Sequence, residues 1–232
     1  MALDTVKHKN ILIKILKDIY TDNTIGPLLG FKGGTAAYLF YDLPRFSTDL
    51  DFDLLNEEKT DYIFERIKKI ISGYGKIKKA DKKRFNLFFL ISYEETANNI
   101  KVEINRRNFG SRYEIRTYLG ISMKVMTKED MVTHKLVAMY ERKGETNRDI
   151  FDSWFFLNNE WSTNKEIIKK RTDLSYDKFL QKCIGIIEKK SNTGILAGIG
   201  ELLDEKQKNW AKSNLKKDLL FLLKMRLENK KK

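Results

Sequence analysis

The sequence predicts an α/β fold of the α+β kind: a small mixed sheet with flanking helices, followed by a helical C-terminal region. Three observations carry this. A short apolar run, a glycine pair and a helical pattern succeed one another between Leu28 and Tyr41; Asp49, Asp51 and Asp53 alternate with apolar residues; and beyond Met126 the apolar spacing turns helical, with little that reads as strand. This change divides the chain into a core over 1–126 and a helical region over 127–232.

Leu3, Val6, Ile11, Ile13, Ile15, Leu16 and Ile19 follow helical spacing, so the chain opens on an amphipathic helix ending before the polar turn at 21–24. Residues 28–31 read as a short buried strand, 32–35 as a turn, and 36–41 as a helix launched from it. After a polar loop containing Pro44, residues 49–54 have the period of a strand, with all three acids on one face and Leu50, Phe52 and Leu54 on the other. Ile63, Phe64, Ile67, Ile70 and Ile71 define a helix over 61–72, with Gly73 placed to end it. Strands are expected around 84–93 and 100–106, and a further pair within 112–126. Thr127 with Asp130 resembles a capping box opening a helix that carries Met131, Leu136, Val137 and Met139. More helices are expected over 147–157, 175–189, 198–206 and 209–227, with Lys230 to Lys232 as a frayed tail.

Composition narrows the class. With 41% hydrophobic and 33% charged residues and two prolines, the chain reads as a soluble globular protein without long disordered linkers. Its longest apolar run, 85–91 with Asn86 inside it, is too short to cross a bilayer. Asp4, Lys7, Lys9 and Lys14 break up the apolar core that a signal peptide would need, so a cytoplasmic location is expected. The single cysteine, Cys183, excludes an internal disulfide and reads as a buried thiol on a helix. A net charge of +13 favours polyanionic partners, among which RNA, DNA, nucleotides and anionic membranes all qualify; a lysine-rich surface also simply keeps a protein soluble.

Gly33 and Gly34, between a strand and a helix, would let backbone N–H groups approach a triphosphate closely, although such a pair also makes an ordinary turn. The lysine precedes the glycines, so this is no Walker A loop. Three acids on one face of a strand repel each other unless water or a cation relieves them, and closely spaced carboxylate oxygens suit Mg²⁺. A solvated edge strand would carry the same pattern. Glu103 lies between Val102 and Ile104 on a second alternating segment; if the strands pair, it can meet the aspartates and complete a two-metal phosphoryl-transfer site. His8, His134 and Cys183 show no zinc-ligand spacing, and no acyl-transfer motif occurs.

The stretch KGGTAAYLFYDLPRFSTDLDFDL, residues 32–54, resembles the nucleotidyltransferase signature of a glycine pair, a loop and Asp-x-Asp. The form with Arg45-Phe46-Ser47 just before the acids looks like the AbiEii/AbiGii toxin family of type IV toxin–antitoxin systems. His134-Lys135-Leu136-Val137-Ala138 and Arg148-Asp149-Ile150-Phe151-Asp152 look like that family's two later motifs. The resemblance spans roughly 28–157.

The resemblance implies a nucleotidyltransferase-type sheet, a helical region completing the cleft, and transfer of a nucleoside monophosphate from an NTP. Gly33 and Gly34 would cradle the triphosphate, with Lys32, Thr35, Arg45 and Ser47 around the nucleotide. Asp49, Asp51 and Glu103 would hold two Mg²⁺ ions, or Mn²⁺; spacing alone also admits Asp51 with Asp53. Lys135 would neutralise phosphate charge, and Asp149 would orient it or contribute to the catalytic site itself. The implied acceptor is RNA, at tRNA 3′ ends, so that translation stops; a cognate antitoxin is an implied partner, and a membrane is not. A protein or small-molecule acceptor, or a binding module without turnover, would be compatible with the same fold.

Overall fold

The computed structural model describes residues 4–94 and 99–228, and among these the chain forms one seven-stranded mixed sheet and eight α-helices. Leu3 and the expected tail Lys230 to Lys232 lie outside the described residues. Described residues up to Met126, apart from Leu43–Arg45 and Phe109–Ser111, make one compact unit; those two segments belong with the residues from Thr127 onward in a second.

The first unit opens with α1 (Thr5–Thr21), capped by Asp4, whose side chain accepts from the Lys7 N–H. Next come β1 (Leu29–Lys32), α2 (Gly33–Phe40), β2 (Leu50–Leu54) and α3 (Thr60–Ser72), then β3 (Lys76–Lys82), β4 (Asn86–Ser92), β5 (Asn99–Asn105), β6 (Tyr113–Tyr118) and β7 (Ile121–Met126). The strand order is β3-β4-β5-β2-β1-β7-β6, with β1/β7 and β2/β5 parallel and the remaining pairs antiparallel. One face is sealed by Leu50, Phe52, Leu87, Phe89, Ile91, Ile100, Val102 and Ile104, all fully buried. Helices α1 and α3 pack on each other, and α3 lies against β3 and β4.

Two local expectations change here. The glycine pair is not a turn before the helix but its first turn, since α2 begins at Gly33. Strand β3 was not foreseen: KIKKADK hides its period under lysines, which an edge strand tolerates because one of its sides faces solvent.

The second unit contains α4 (Lys128–Glu141), α5 (Asn147–Asn158), α6 (Lys165–Thr172), α7 (Tyr176–Lys189) and α8 (Glu205–Glu228). Phe151, Phe156, Phe179, Leu180, Leu215, Leu219 and Leu223 form its core. Cys183 is buried there, and burial pushes its thiol up to about 12. Thr127 does stand before α4, but no capping box forms: its hydroxyl has no partner among the described residues, and Asp130 accepts from Asn164 at 2.8 Å instead. The helix expected over 198–206 is a short 3₁₀ turn (Gly200–Leu202), and the one expected at 209 begins at Glu205. Asp204 and Gln207 explain the start, each side chain accepting from the other's backbone N–H, at 2.8 and 2.9 Å. Helix α6 was missed, being short and mostly charged.

Candidate active site

Strand pairing assembles the acids in the first unit. The parallel β2–β5 register sets Asp51 opposite Glu103 and Asp53 opposite Asn105. On the other side of β2, the antiparallel register sets Lys32 opposite Asp51. Side chains of paired residues share a sheet face, so Asp51, Asp53 and Glu103 look the same way.

A lysine lies among them. The Lys101 ammonium is 3.3 Å from Glu103 Oε2, 3.6 Å from Asp49 Oδ2 and 3.9 Å from Asp51 Oδ1. Burial is the largest influence on Asp51 and raises its pKa; Lys101 and Lys32 oppose it, Asp49 and Glu103 add to it, and the net direction is upward. Burial likewise works against the Lys101 charge, yet the three acids hold its pKa above the ordinary lysine value. For Glu103 the balance is reversed: burial opposes ionisation, while Lys101 and a 2.6 Å hydrogen bond from the Asn86 amide hold its pKa down.

Asp53 is set apart from this group. It is 6% exposed and accepts from Lys32 Nζ at 2.5 Å, Asn105 Nδ2 at 2.6 Å and the Tyr113 hydroxyl at 2.6 Å. Burial alone would raise its pKa, but the Lys32 charge and these donors bring it below the usual aspartate value. Its oxygens are committed to the fold, which leaves Asp49 and Asp51 as the aspartates facing Lys101.

The approach to Asp49 is fixed from two sides. Thr35, 1% exposed, donates its hydroxyl to the Asp49 carbonyl, and His8 Nε2 lies 2.9 Å from the Thr48 carbonyl. A carbonyl only accepts, so Nε2 carries the proton, and Nδ1 meets the Tyr93 hydroxyl at 2.7 Å. Burial lowers the His8 pKa against the Thr48 carbonyl and the Asp49 charge. Ser47 is buried in the same loop. Gly33 has φ +79°, and a Cβ there would come 2.5 Å from Asp51 Oδ2. Glycine is therefore required both by the backbone and by the carboxylate above it.

The two later motifs meet in the second unit. Lys135 Nζ is 3.0 Å from both Asp149 Oδ1 and Asp152 Oδ2. Arg45 donates through Nε and Nη2 to the two oxygens of Asp152, each at 2.6 Å, and Arg142 reaches Asp149 Oδ2 at 2.6 Å. Burial opposes the Lys135 charge, but Asp152 and Asp149 raise its pKa. Asp152, fully buried, has its pKa held down by Arg45 and Lys135 against burial. His134 binds the Ser111 hydroxyl and the Arg171 guanidinium.

Sequence reasoning missed Lys101, Asn86, Asn105, Asp152 and the positioning role of His8. Lys101, two residues before Glu103 on a strand, and Asp152, three residues after Asp149 on a helix, had the spacing that shares a face. The asparagines and His8 act through long-range pairing that leaves no local signal.

Among the described residues no three His, Cys, Asp or Glu side chains are already arranged around a common point as a metal site. The donor set still suits a hard divalent cation, since three carboxylates lie within 3.9 Å of one ammonium.

A mixed sheet with Asp51 and Glu103 paired on one face, Asp49 just before β2, and a helix that opens on a glycine pair fits the class of nucleotidyltransferases. The family model "Nucleotidyl transferase AbiEii toxin, Type IV TA system" matches residues 14–220, and the chain belongs to this family of nucleotidyltransferase toxins. Membership implies a nucleotide substrate and a cognate antitoxin. Among solved structures, JHP933 from Helicobacter pylori is 21% identical with a TM-score of 0.60, covering 100% of this chain and 97% of that one. A second Helicobacter pylori crystal structure gives the same identity and TM-score over 99% and 98% of the two chains. At such identity the likeness concerns the fold. No curated protein matches the sequence. Among the described residues no helix is long and apolar enough to cross a membrane.

Proposed function

We propose that the enzyme transfers a nucleoside monophosphate from an NTP to a hydroxyl of RNA, at the 3′ end of tRNA, and thereby blocks translation. In this reaction the acceptor oxygen forms a bond to the α-phosphorus, the α–β phosphoanhydride bond breaks, pyrophosphate leaves and the hydroxyl proton passes to solvent. The observation that carries the reading is that Asp49, Asp51 and Glu103 all lie within 3.9 Å of the Lys101 ammonium.

Asp49, Asp51 and Glu103 would hold Mg²⁺, or Mn²⁺, in a pair of ions with the bound NTP. Such ions supply charge neutralisation on the phosphates and a more acidic acceptor hydroxyl. The chain's own contribution is positioning. Gly33 and Gly34 present the N–H groups of the first turn of α2 to the triphosphate, and the absence of Cβ at Gly33 keeps the space next to Asp51 open. Lys32 and Thr35 hold Asp53 and the Asp49 backbone in place, and Ser47 belongs to the loop that delivers Asp49. Lys135 is assigned to phosphate charge, with Asp149 orienting it at 3.0 Å. Arg45 enters this reading through Asp152, which also binds Lys135. The charge of +13 supports RNA over a neutral small-molecule acceptor.

The test is incubation of purified protein, and of an Asp49→Ala/Asp51→Ala variant, with total tRNA, Mg²⁺ and each α-labelled NTP. Label on tRNA with the parent alone is expected and identifies the base. Label on protein or on a small product, with none on RNA, would overturn the acceptor; no labelled product with any acceptor would overturn turnover itself.

A further inference from the structure

The sheet face that carries the carboxylates does not end at Glu103. In the antiparallel β4–β5 pair Phe88 is opposite Glu103 and Leu90 opposite Lys101; in β3–β4 Asp81 is opposite Phe88 and Lys79 opposite Leu90. Opposed residues share a face, so Phe88 and Leu90, and then Asp81 and Lys79, which pair at 3.2 Å, extend the carboxylate face toward the sheet edge. Phe88 is half-buried, and the Lys83 ammonium lies 4.5 Å from its ring centroid. At the turn Phe85 is 50% exposed, with the guanidinium carbons of Arg84 and Arg107 at 5.0 and 5.5 Å from its centroid. The residue after Phe85 is Asn86, whose amide binds Glu103. Neither Lys83 nor Arg84 forms a salt bridge among the described residues.

Lysines on β3 have a simple structural use, since charges blunt an exposed sheet edge. That explains neither an exposed phenyl at the turn nor an aromatic ring beside the third carboxylate. Rings interleaved with cations are what an unpaired polynucleotide strand requires: π-faces or guanidinium planes for bases, and charge for phosphates. A base in a duplex is stacked on its neighbours and offers no free face.

We propose that the β3–β4 hairpin, through Phe85 and Phe88 with Lys79, Lys83, Arg84 and Arg107, seats an unpaired single-stranded segment of the RNA acceptor next to Glu103. This rests on the reading of RNA as acceptor. A base lies on Phe85 or on one of its guanidiniums, and a guanidinium displaced from the ring pairs with a phosphate. The cations fix the strand without regard to sequence, and the rings select unpaired bases.

The experiment measures binding of a labelled single-stranded oligoribonucleotide, its blunt duplex and the matching single-stranded DNA by fluorescence anisotropy at two salt concentrations. It compares the parent protein with Phe85→Ala, Phe85→Trp and Lys83→Glu/Arg84→Glu, each checked for folding by thermal melting. Single-strand affinity should fall about tenfold or more in Phe85→Ala, be kept in Phe85→Trp, and fall further with a weaker salt dependence in the charge reversal. The duplex should bind more weakly and be indifferent to Phe85. Equal binding of duplex and single strand, or loss on charge reversal with Phe85→Ala unchanged, would overturn the proposal; the latter fits a surface for an acidic protein. Binding needs no turnover, so tRNA labelling with unchanged Phe85→Ala affinity would refute this surface and leave the transferase reading intact.

Discussion

Asp51 stands directly opposite Glu103 across the parallel β2–β5 pair, so one pairing register brings the second and third acids of the site together. Neither can be replaced by a neighbour, since Asp53 is occupied by Lys32, Asn105 and Tyr113. Asp51→Asn and Glu103→Gln should each lower nucleotide transfer by about 10²-fold or more, the scale of losing several kcal/mol of transition-state charge stabilisation. Thermal melting should stay close to the parent or rise for Asp51→Asn, because that substitution removes a carboxylate whose ionisation burial disfavours, and should fall for Glu103→Gln, because Lys101 and Asn86 favour that ionised carboxylate. Unchanged turnover in either variant would remove it from the site.

Gly33→Ala places a methyl 2.5 Å from the Asp51 carboxylate at a residue with φ +79°. Strain and clash act together, and the neighbour that must move is the acid the reaction needs. The variant should lose about 1–3 kcal/mol of stability and most of its transfer activity. Parental activity at parental stability would show that the α2 start can relax without disturbing Asp51.

Lys101 contributes most when no divalent ion is present, because it is then the cation among Asp49, Asp51 and Glu103. Lys101→Met should therefore melt earlier than the parent in chelator, by about 1–3 kcal/mol for an ion pair between the exposed and buried limits. Added Mg²⁺ or Mn²⁺ should stabilise the variant more than the parent and saturate at lower concentration, since no ammonium competes. Calorimetric titration with Mn²⁺ checks this, and equal affinity in both proteins would show that Lys101 does not occupy the ion's place.

Asp53 offers a test in pH. Its pKa is lower in the folded than in the unfolded state, so it adds stability above the unfolded aspartate value of about 3.9, and that stability is lost as pH falls through the folded value. In Asp53→Asn this acid-limb loss should be smaller, while stability at neutral pH should drop because Lys32 loses its anion. Stability curves of the two proteins against pH that run parallel through the acid limb would contradict the assignment.

How much of this was legible depended on whether the signal was local. The acids of β2 showed themselves because period two sorted them from Leu50, Phe52 and Leu54, and the helical half showed itself through apolar spacing. Strand β3 did not, because lysines on an edge obscure alternation. Asp49, Asp51 and Glu103 could be named from spacing and family likeness, but the opposition of Asp51 and Glu103 depends on joining strands distant in sequence. That pairing also brings in Lys101, and the Asn86 bond to Glu103 needs yet another strand. The division of roles between Asp51 and Asp53, equivalent by period, is made by Lys32, Asn105 and Tyr113 alone.

Arg45 is where a sequence expectation of nucleotide contact and the observed geometry give different experimental outcomes. Its guanidinium is 3% exposed and binds both oxygens of Asp152, which is 0% exposed and also holds Lys135. Removing the guanidinium leaves a buried carboxylate with Lys135 as its remaining cation in this network, and breaking one partner of such a pair costs about 3–5 kcal/mol. Arg45→Met should thus unfold at markedly lower denaturant concentration, and Arg45→Lys should recover only part, because an ammonium cannot reproduce the two-point contact. The double change Arg45→Met/Asp152→Asn should restore stability relative to Arg45→Met alone, since no unpaired charge remains. If Arg45→Met instead keeps parental stability while NTP affinity falls at least tenfold by calorimetry, Arg45 contacts the nucleotide and the Asp152 pair is incidental to the fold.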